Sequence, residues 1–445
     1  FGLLAFRFEK TQAMFNNMGW SSWASVDGDY VDSKKELRKG DASRLAYSSR
    51  TRSYLRRRVW RTLRRLGQRQ DAEAYVKMAV GVLLPFSDDD ANTPRTTSSY
   101  NWNQNRTVVT HYDAFAGYIP FNHILYTHSP RYHLKRGGKA FACKDGFKPG
   151  DGPPPVREEA FPELWDQVPA GLLHLLAVSQ CEQVHVFATK ALRANQAACD
   201  ALDDDILSRL VSARYIVTAR FAFELIRPVV DNATTVDDAV RRLIMWSTRS
   251  VLSDARQAGI AWAQQHATHF ADDANHMFLM ATSPFADVRK AASDMLLSMS
   301  FSDANRDDLV GRILELMAKF DDVSSALFPK GVGDDGATVI RDLGDMLLKV
   351  FAGALRVLDI DLVLGLLLHE VDAVQAFAGQ VLLAHEVRPK DLPEDVIPRL
   401  LNAKSELVRG IGLRLFGELD DDVLAEKEDL LVQLVTSKLS DVRQR

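Results

Sequence analysis

The chain has 445 residues, of which 46% are apolar and 26% charged, and a net charge of −4. This composition excludes a disordered or collagen-like chain, and no apolar run approaches the roughly 18–20 residues of a membrane span, so no membrane partner is expected. The length excludes a single compact core, because cores stop growing near roughly 250–300 residues. Several domains or an elongated array remain. Three cysteines, Cys143, Cys181 and Cys199, make no disulfide framework and suggest a reducing, cytoplasmic setting.

The charge is unevenly spread. Residues 1–85 carry 17 Lys and Arg against 8 Asp and Glu, and the remainder carries 38 against 51. A basic end on an acidic body bears on partners rather than on fold. Residues 1–86 read as a basic helical region ending in a helix pair over 45–85. In the first helix Leu55, Val59, Leu63 and Leu66 share one face, and Gly67 reads as a C-cap signal. Asp71 opens the second helix, over 72–84.

Opposite the leucines lie Arg57, Arg61, Arg64 and Arg65, with Arg50, Arg52, Arg56, Arg58 and Arg69 adding to the patch. Clustered guanidinium groups suit phosphate, and Trp60 is placed either to stack on a base or to pack. A solvated helix face and a contact for an acidic protein surface are the alternatives. The near absence of Glu from this helix is what an ordinary solvated face leaves unexplained.

Residues 87–160 break the regularity. Three aspartates (Asp88–Asp90) open the segment, an Asn/Thr/Ser/aromatic tract follows, and Gly137, Gly138 and three prolines at 153–155 close it. Tyr112, Phe115, Tyr118, Phe121, Tyr126 and Tyr132 are too aromatic for disorder, so an ordered insertion is expected. His111, Asp113, His123, His128, His133 and Cys143 lack a metal-ligand spacing and read as surface and turn residues. His266, His269 and His276, near Asp272 and Asp273, read as polar helix surface. No cofactor or metal is expected.

Residues 161–445 repeat. Ile340, Val374, Val408 and Val442 stand 34 residues apart, and each of the first three is followed by a small residue four places on (Gly344, Ala378, Gly412) and an apolar one eight places on (Leu348, Leu382, Phe416). Such offsets share one helical face, and the small residue lets a neighbouring helix approach. The pattern recurs at Val184 (Ala188, Leu192), Ala255 (Gly259, Ala263) and Val288 (Ala292, Leu296). Val217 fits less well, since Phe221 occupies its small position. The step from Val288 to Ile340 is 52, so it holds a degenerate repeat or an insertion over 320–338.

The repeat resembles the HEAT family. The Asp before each anchor and the Arg after it carry the likeness: Asp254/Arg256, Asp287/Arg289 and Asp441/Arg443, with Arg341 and Arg409 keeping the Arg alone. The resemblance implies that the Asp caps the second helix of each pair and the Arg ties neighbouring repeats together. The period is shorter than the roughly 40–47 residues usual for that family and equals the period of tetratricopeptide and ankyrin repeats, whose own signatures are absent. Residues 123–132 and 156–165 look like segments of large bacterial HEAT-like proteins, some linked to DNA-binding modules. The fold expected is therefore an all-α solenoid of short HEAT-like helix pairs, with an irregular insertion near 87–160, as a fragment of a longer bacterial protein.

No nucleophile elbow, phosphate-binding glycine loop or dinucleotide fingerprint occurs. HEAT-like DNA glycosylases exist, but nothing here identifies their groove residues, and no enzyme is expected. The leading expectation is a scaffold that holds a protein partner on the concave surface of a solenoid. The second is DNA or RNA binding through Arg56, Arg57, Arg61, Arg64, Arg65 and Trp60, in a defence or repair protein.

Overall fold

A computed structural model describes residues 14–15, 23–26, 29–39, 42–43, 47–103, 105–270, 273–298, 301–321, 332–403, 405–420, 424 and 432. Among them the chain is mostly helical, with 22 α-helices and eight short strands. It divides into two compact units, 1–228 and 229–445. The boundary falls inside a helix, not at the composition shifts near 86 and 160.

In the first unit, β1 (Met14–Phe15) pairs in parallel with β4 (Tyr47–Ser48), and β2 (Trp23–Val26) runs antiparallel to β3 (Asp29–Asp32). Among the described residues before 49 the only α-helix is the five-residue α1 (Ser33–Leu37). The helix pair follows as α2 (Ser49–Gln68) and α3 (Ala72–Leu83). Val59 and Leu63 of α2 are buried, while Leu55 and Leu66 are half-buried.

Gly67 does not end α2. It is a helical residue pressed against Phe161, where a Cβ would lie 2.4 Å from the ring. The left-handed position belongs to Gln70 (φ 56°). Asp71 N–H donates to Leu66 O at 3.2 Å and Gln70 N–H to Gly67 O at 3.0 Å. These two bonds form the Schellman closure that usually uses glycine. Asp71 then caps α3 through Ala74 N–H at 3.2 Å.

Residues 87–160 hold two hairpins around a helix: β5 (Arg95–Asn101) with β6 (Arg106–Tyr112), α4 (Ile119–Tyr126), and β7 (Tyr132–Leu134) with β8 (Phe141–Cys143). They form no separate body. Phe121 packs on Phe86 and Phe115, and the Tyr75 hydroxyl of α3 donates to Ala160 O at 3.2 Å. The segment ends in buried ion pairs. Glu158 accepts from Arg131 (3.0 and 3.1 Å), Ser129 (2.6 Å) and Lys190 (3.0 Å). Arg157 spans Asp166 and Glu159. The remaining helices of this unit are α5 (Pro162–Gln167), α6 (Pro169–Val178), α7 (Glu182–Arg193), α8 (Gln196–Asp200), α9 (Asp204–Val211) and most of α10 (Ile216–Asp231).

The second unit runs α11 (Asp238–Ser247), α12 (Ser253–Gln265), α13 (Ala267–Phe270), α14 (Ala274–Ala281), α15 (Ala286–Ser298), α16 (Asp303–Ala318), α17 (Gly336–Val350), α18 (Ala352–Leu355), α19 (Ile360–Leu367), α20 (Asp372–Ala384), α21 (Val396–Leu401) and α22 (Glu406–Gly417). The pairs are α11/α12, α14/α15, α16/α17, α19/α20 and α21/α22, and the second helices α12, α15, α17, α20 and α22 each pack on the next. Among the described residues the 52-residue step holds no extra pair, and its added length lies between α16 and α17.

The anchor residues are buried. Ala255, Val288, Ile340, Val374 and Val408 are 0–1% exposed. A Cβ on Gly259 would lie 2.8 Å from Thr248 N, and one on Gly412 2.8 Å from Leu400 Cβ and 3.0 Å from Leu401 N. At Gly259 and Gly412 the small position is therefore where the preceding helix ends against its partner, whereas a Cβ on Gly344 would lie 3.2 Å from Phe377 of the following α20. Two registers need correction. In α10 the buried face is Thr218, Ala222 and Ile226, one place after Val217, so a small residue does occupy the middle. In α17 Leu347, not Leu348, closes the core.

The Arg after the anchor ties repeats together in two cases. Arg256 donates to Asp287 of the next pair at 3.2 Å and to Ser250 O and Val251 O, with its guanidinium 3.9 Å over Phe285. Arg289 donates to Asp342 at 2.8 Å, Asp334 at 2.6 Å and Ser283 O at 2.9 Å. Arg409 donates to Ala403 O at 2.9 Å, whereas Arg341 is exposed.

Asp254 does not cap. The N-cap of α12 is Leu252, and Asp254 sits exposed in the first turn. Capping aspartates do precede several first helices, where Asp203, Asp237 and Asp273 accept from Ile206, Val240 and His276 N–H at 2.8, 2.9 and 3.0 Å, and Asp335 caps the second helix α17 through Thr338 N–H at 2.7 Å. Asp441, Arg443, the Val442 anchor and Asp272 lie outside the described residues.

Candidate functional site

The arginine face of α2 follows from its apolar stripe. With Val59 and Leu63 fixed inward, residues 57, 61, 64 and 65 must point outward, at offsets that share one face. Arg57, Arg58, Arg61, Arg64, Arg65 and Arg69 are all exposed. None of them forms an ion pair with a carboxylate among the described residues. From Arg57 to Arg69 the face is about 18 Å long at 1.5 Å per residue, the axial length of roughly five base pairs. Arg56 is half-buried, and the side chains of Arg50 and Arg52 lie outside the described residues.

Trp60 is not a bare ring on this face. It is half-buried and stacks on His123 of α4, with centroids 4.3 Å apart and planes 2° from parallel. His123 in turn meets the edge of Phe141 in β8. One indole face is thus spent on holding α2 against the 87–160 segment. His123 is half-buried rather than a surface histidine, and burial pushes its pKa down to about 4, so it is neutral at pH 7.

Further cations surround the segment. The turn between β7 and β8 exposes Arg136 and Lys139, and Lys135 donates to Thr110 of β6 at 3.4 Å. The β5–β6 hairpin carries Arg95 and Arg106, and no Asp or Glu occurs between Asp90 and Asp113. Sequence reading took this stretch as an irregular tract. Its signal was the β-prone run Arg95–Asn101 followed by an asparagine-rich turn and a second run, Arg106–Tyr112.

The Glu158 cluster had no sequence signal, because Ser129, Arg131, Glu158 and Lys190 meet only in the folded chain. Burial raises the Glu158 carboxyl pKa, but the bonds from Arg131, Ser129 and Lys190 together hold it below the ordinary value. This cluster positions the segment and offers no open coordination or nucleophile.

The other histidines separate. His128 and His133 are exposed and His111 is half-buried on Thr96 (2.9 Å), while His266 and His269 lie near the end of α12. His276 is not polar surface. It is 1% exposed, packs on Phe270 with centroids 4.3 Å apart, and neither ring nitrogen has a hydrogen-bond partner. Burial pushes its pKa down to about 4. Among the described residues no group of three or more His, Cys, Asp or Glu side chains could hold a metal ion, and no helix is long and apolar enough to cross a membrane. No family model matches the chain, and no curated protein matches it.

Proposed function

We propose that the chain is a non-catalytic repeat scaffold of HEAT-like helix pairs whose first unit binds nucleic-acid phosphates on the outward face of α2. The observation that carries the second half is the row of six exposed arginines without a carboxylate partner among the described residues. Guanidinium groups left unneutralised on a rigid helix are preorganised for phosphate oxygens. The scaffold half is supported by the pairing of α11 to α22 and by the step-by-step packing of the second helices, which is how solenoids bury a one-dimensional core. A protein partner on the inner surface of such an array remains the companion reading, in the setting of a larger cytoplasmic bacterial protein.

The test is binding of labelled single- and double-stranded DNA and RNA at about 50 and 200 mM salt, for the wild type and for Arg57/Arg61/Arg64/Arg65→Glu. Four phosphate contacts on duplex imply a log–log salt slope near −3.6, about 150-fold weaker binding across that range. Wild-type binding that ignores salt, or that survives the four substitutions, would sink the proposal.

A further inference from the structure

The β5–β6 hairpin stands out from the first unit with both faces wet. Every described residue from Arg95 to Tyr100 is exposed, as are Trp102, Asn103, Asn105, Arg106 and Thr107. Seven paired positions at about 3.4 Å each carry its tip roughly 20 Å from its base. Isolated two-stranded hairpins are at best marginal in water, and this one ends in a tryptophan that is 84% exposed. The tip is nevertheless set. Tyr100 meets the Trp102 ring edge-on at 4.7 Å and 75°, and its hydroxyl donates to Asn105 Oδ1. Asn103 N–H donates to Asn101 Oδ1 at 3.1 Å, and Asn105 takes the left-handed conformation (φ 46°).

We infer that this tip is a reader of unpaired nucleotides, with Trp102 as the stacking platform and the carboxamides around it as hydrogen-bonding partners for base edges. An indole accepts the face of any base, and carboxamides bond base edges. Bases in a duplex present no face, so the ligand is a single strand or a loop. The charge along the hairpin favours this over an apolar protein pocket: Arg106 sits at the tip, Arg95 at the base over the Tyr112 ring, Arg136 and Lys139 are exposed on the neighbouring β7–β8 turn, and residues 91–112 hold no carboxylate. The hairpin and the arginine helix belong to one body, linked from Trp60 through His123 to Phe141 of β8, which packs on β6. The inference rests on the reading of α2 as a phosphate site and adds the class of nucleic acid that it serves.

The experiment uses the full chain and four proteins: wild type, Trp102→Ala, Trp102→Phe and the four-arginine variant. Each is titrated by fluorescence anisotropy with an unstructured single-stranded oligonucleotide and with its duplex, circular dichroism confirming the fold. Trp102→Ala is expected to weaken single-strand binding roughly 5- to 150-fold and leave duplex binding unchanged, with Trp102→Phe retaining most of the affinity. Unchanged single-strand binding by Trp102→Ala overturns the inference while a loss in the arginine variant keeps the phosphate site. Equal losses on single strand and duplex would also overturn it. The reverse pattern, loss with Trp102→Ala but not with the arginine variant, keeps the hairpin as reader and discards α2. Failure of the wild type to bind either probe overturns both.

Discussion

The repeat geometry can be tested with one methyl group. Gly259 and Gly311 both lie inside helices, α12 and α16, but their surroundings differ. A Cβ on Gly259 would stand 2.8 Å from Thr248 N and 3.1 Å from Ser247 C, both backbone atoms of the preceding helix, whereas one on Gly311 meets nothing within 4 Å. Replacing either by Ala gains about 1 kcal/mol of helix propensity. At Gly259 overpacking costs about 1–3 kcal/mol, and backbone cannot rotate away. The net expectation is a loss of about 0–2 kcal/mol for Gly259→Ala and a gain of about 1 kcal/mol for Gly311→Ala. For a cooperative unit of roughly 150–250 residues each kcal/mol moves the melting temperature by about 2–4 °C. The assay is calorimetry of the two variants, with hydrogen exchange localising the change to α11 and α12. Equal stabilisation by both substitutions would refute the close approach of the α11 end to α12, and with it the physical reason offered for the small residue of the repeat.

Arg289→Ala should destabilise the second unit by about 2 kcal/mol. That is less than the 3–5 kcal/mol of a fully buried broken pair, because Asp334 and Asp342 are each about 40% exposed and can rehydrate; a thermal shift below 1 °C would contradict this. Gln70→Gly should raise stability by about 1 kcal/mol, since only glycine occupies that left-handed position without cost, and a denaturant melt measures it. The pH dependence has a definite sign. Unfolded histidine takes up a proton below about pH 6.5, while His276 in the folded chain resists until about 4, so stability falls as pH drops through that window. His276→Phe should flatten the pH profile of the melting temperature there, leaving the similar contribution of His123. Glu158 acts in the acid limb: its lowered folded pKa gives stability that is present above its unfolded value and lost as pH falls below it, so Glu158→Gln should lower stability at pH 7 and remove that part of the acid loss.

How much of this was legible in the sequence depends on the range of the interaction. Helix pairs at 34-residue steps were readable because an anchor, a small residue and an apolar residue on one face is a local pattern that the helix period imposes. The Gly67 reading failed for the same reason in reverse. Glycine near a helix end is a local stop signal, but here Phe161, 94 positions on, needs the space. The caps implied at Asp254 and Asp287 fall inside their helices, because a residue beside the anchor in sequence is already past the helix start, whereas Asp203, Asp237, Asp273 and Asp335 stand where the first N–H groups are unpaired. His276 could not be told from a surface histidine, since its burial is set by Phe270 and the partners of α14 rather than by its neighbours in the chain.

By itself, then, the sequence determined what each segment carries: the excess of arginine in α2, the absence of acid from 91 to 112, and the periodic apolar face of the helices. Only the tertiary structure decided what each group can still do. It left Arg57, Arg61, Arg64 and Arg65 in water, spent one face of Trp60 on His123, and raised Trp102 on a hairpin tip. The physical reason is that charge and periodicity are properties of a stretch of chain, whereas a free ring face or an unneutralised charge is defined by which distant residues come to cover it, and that is settled only when the core closes.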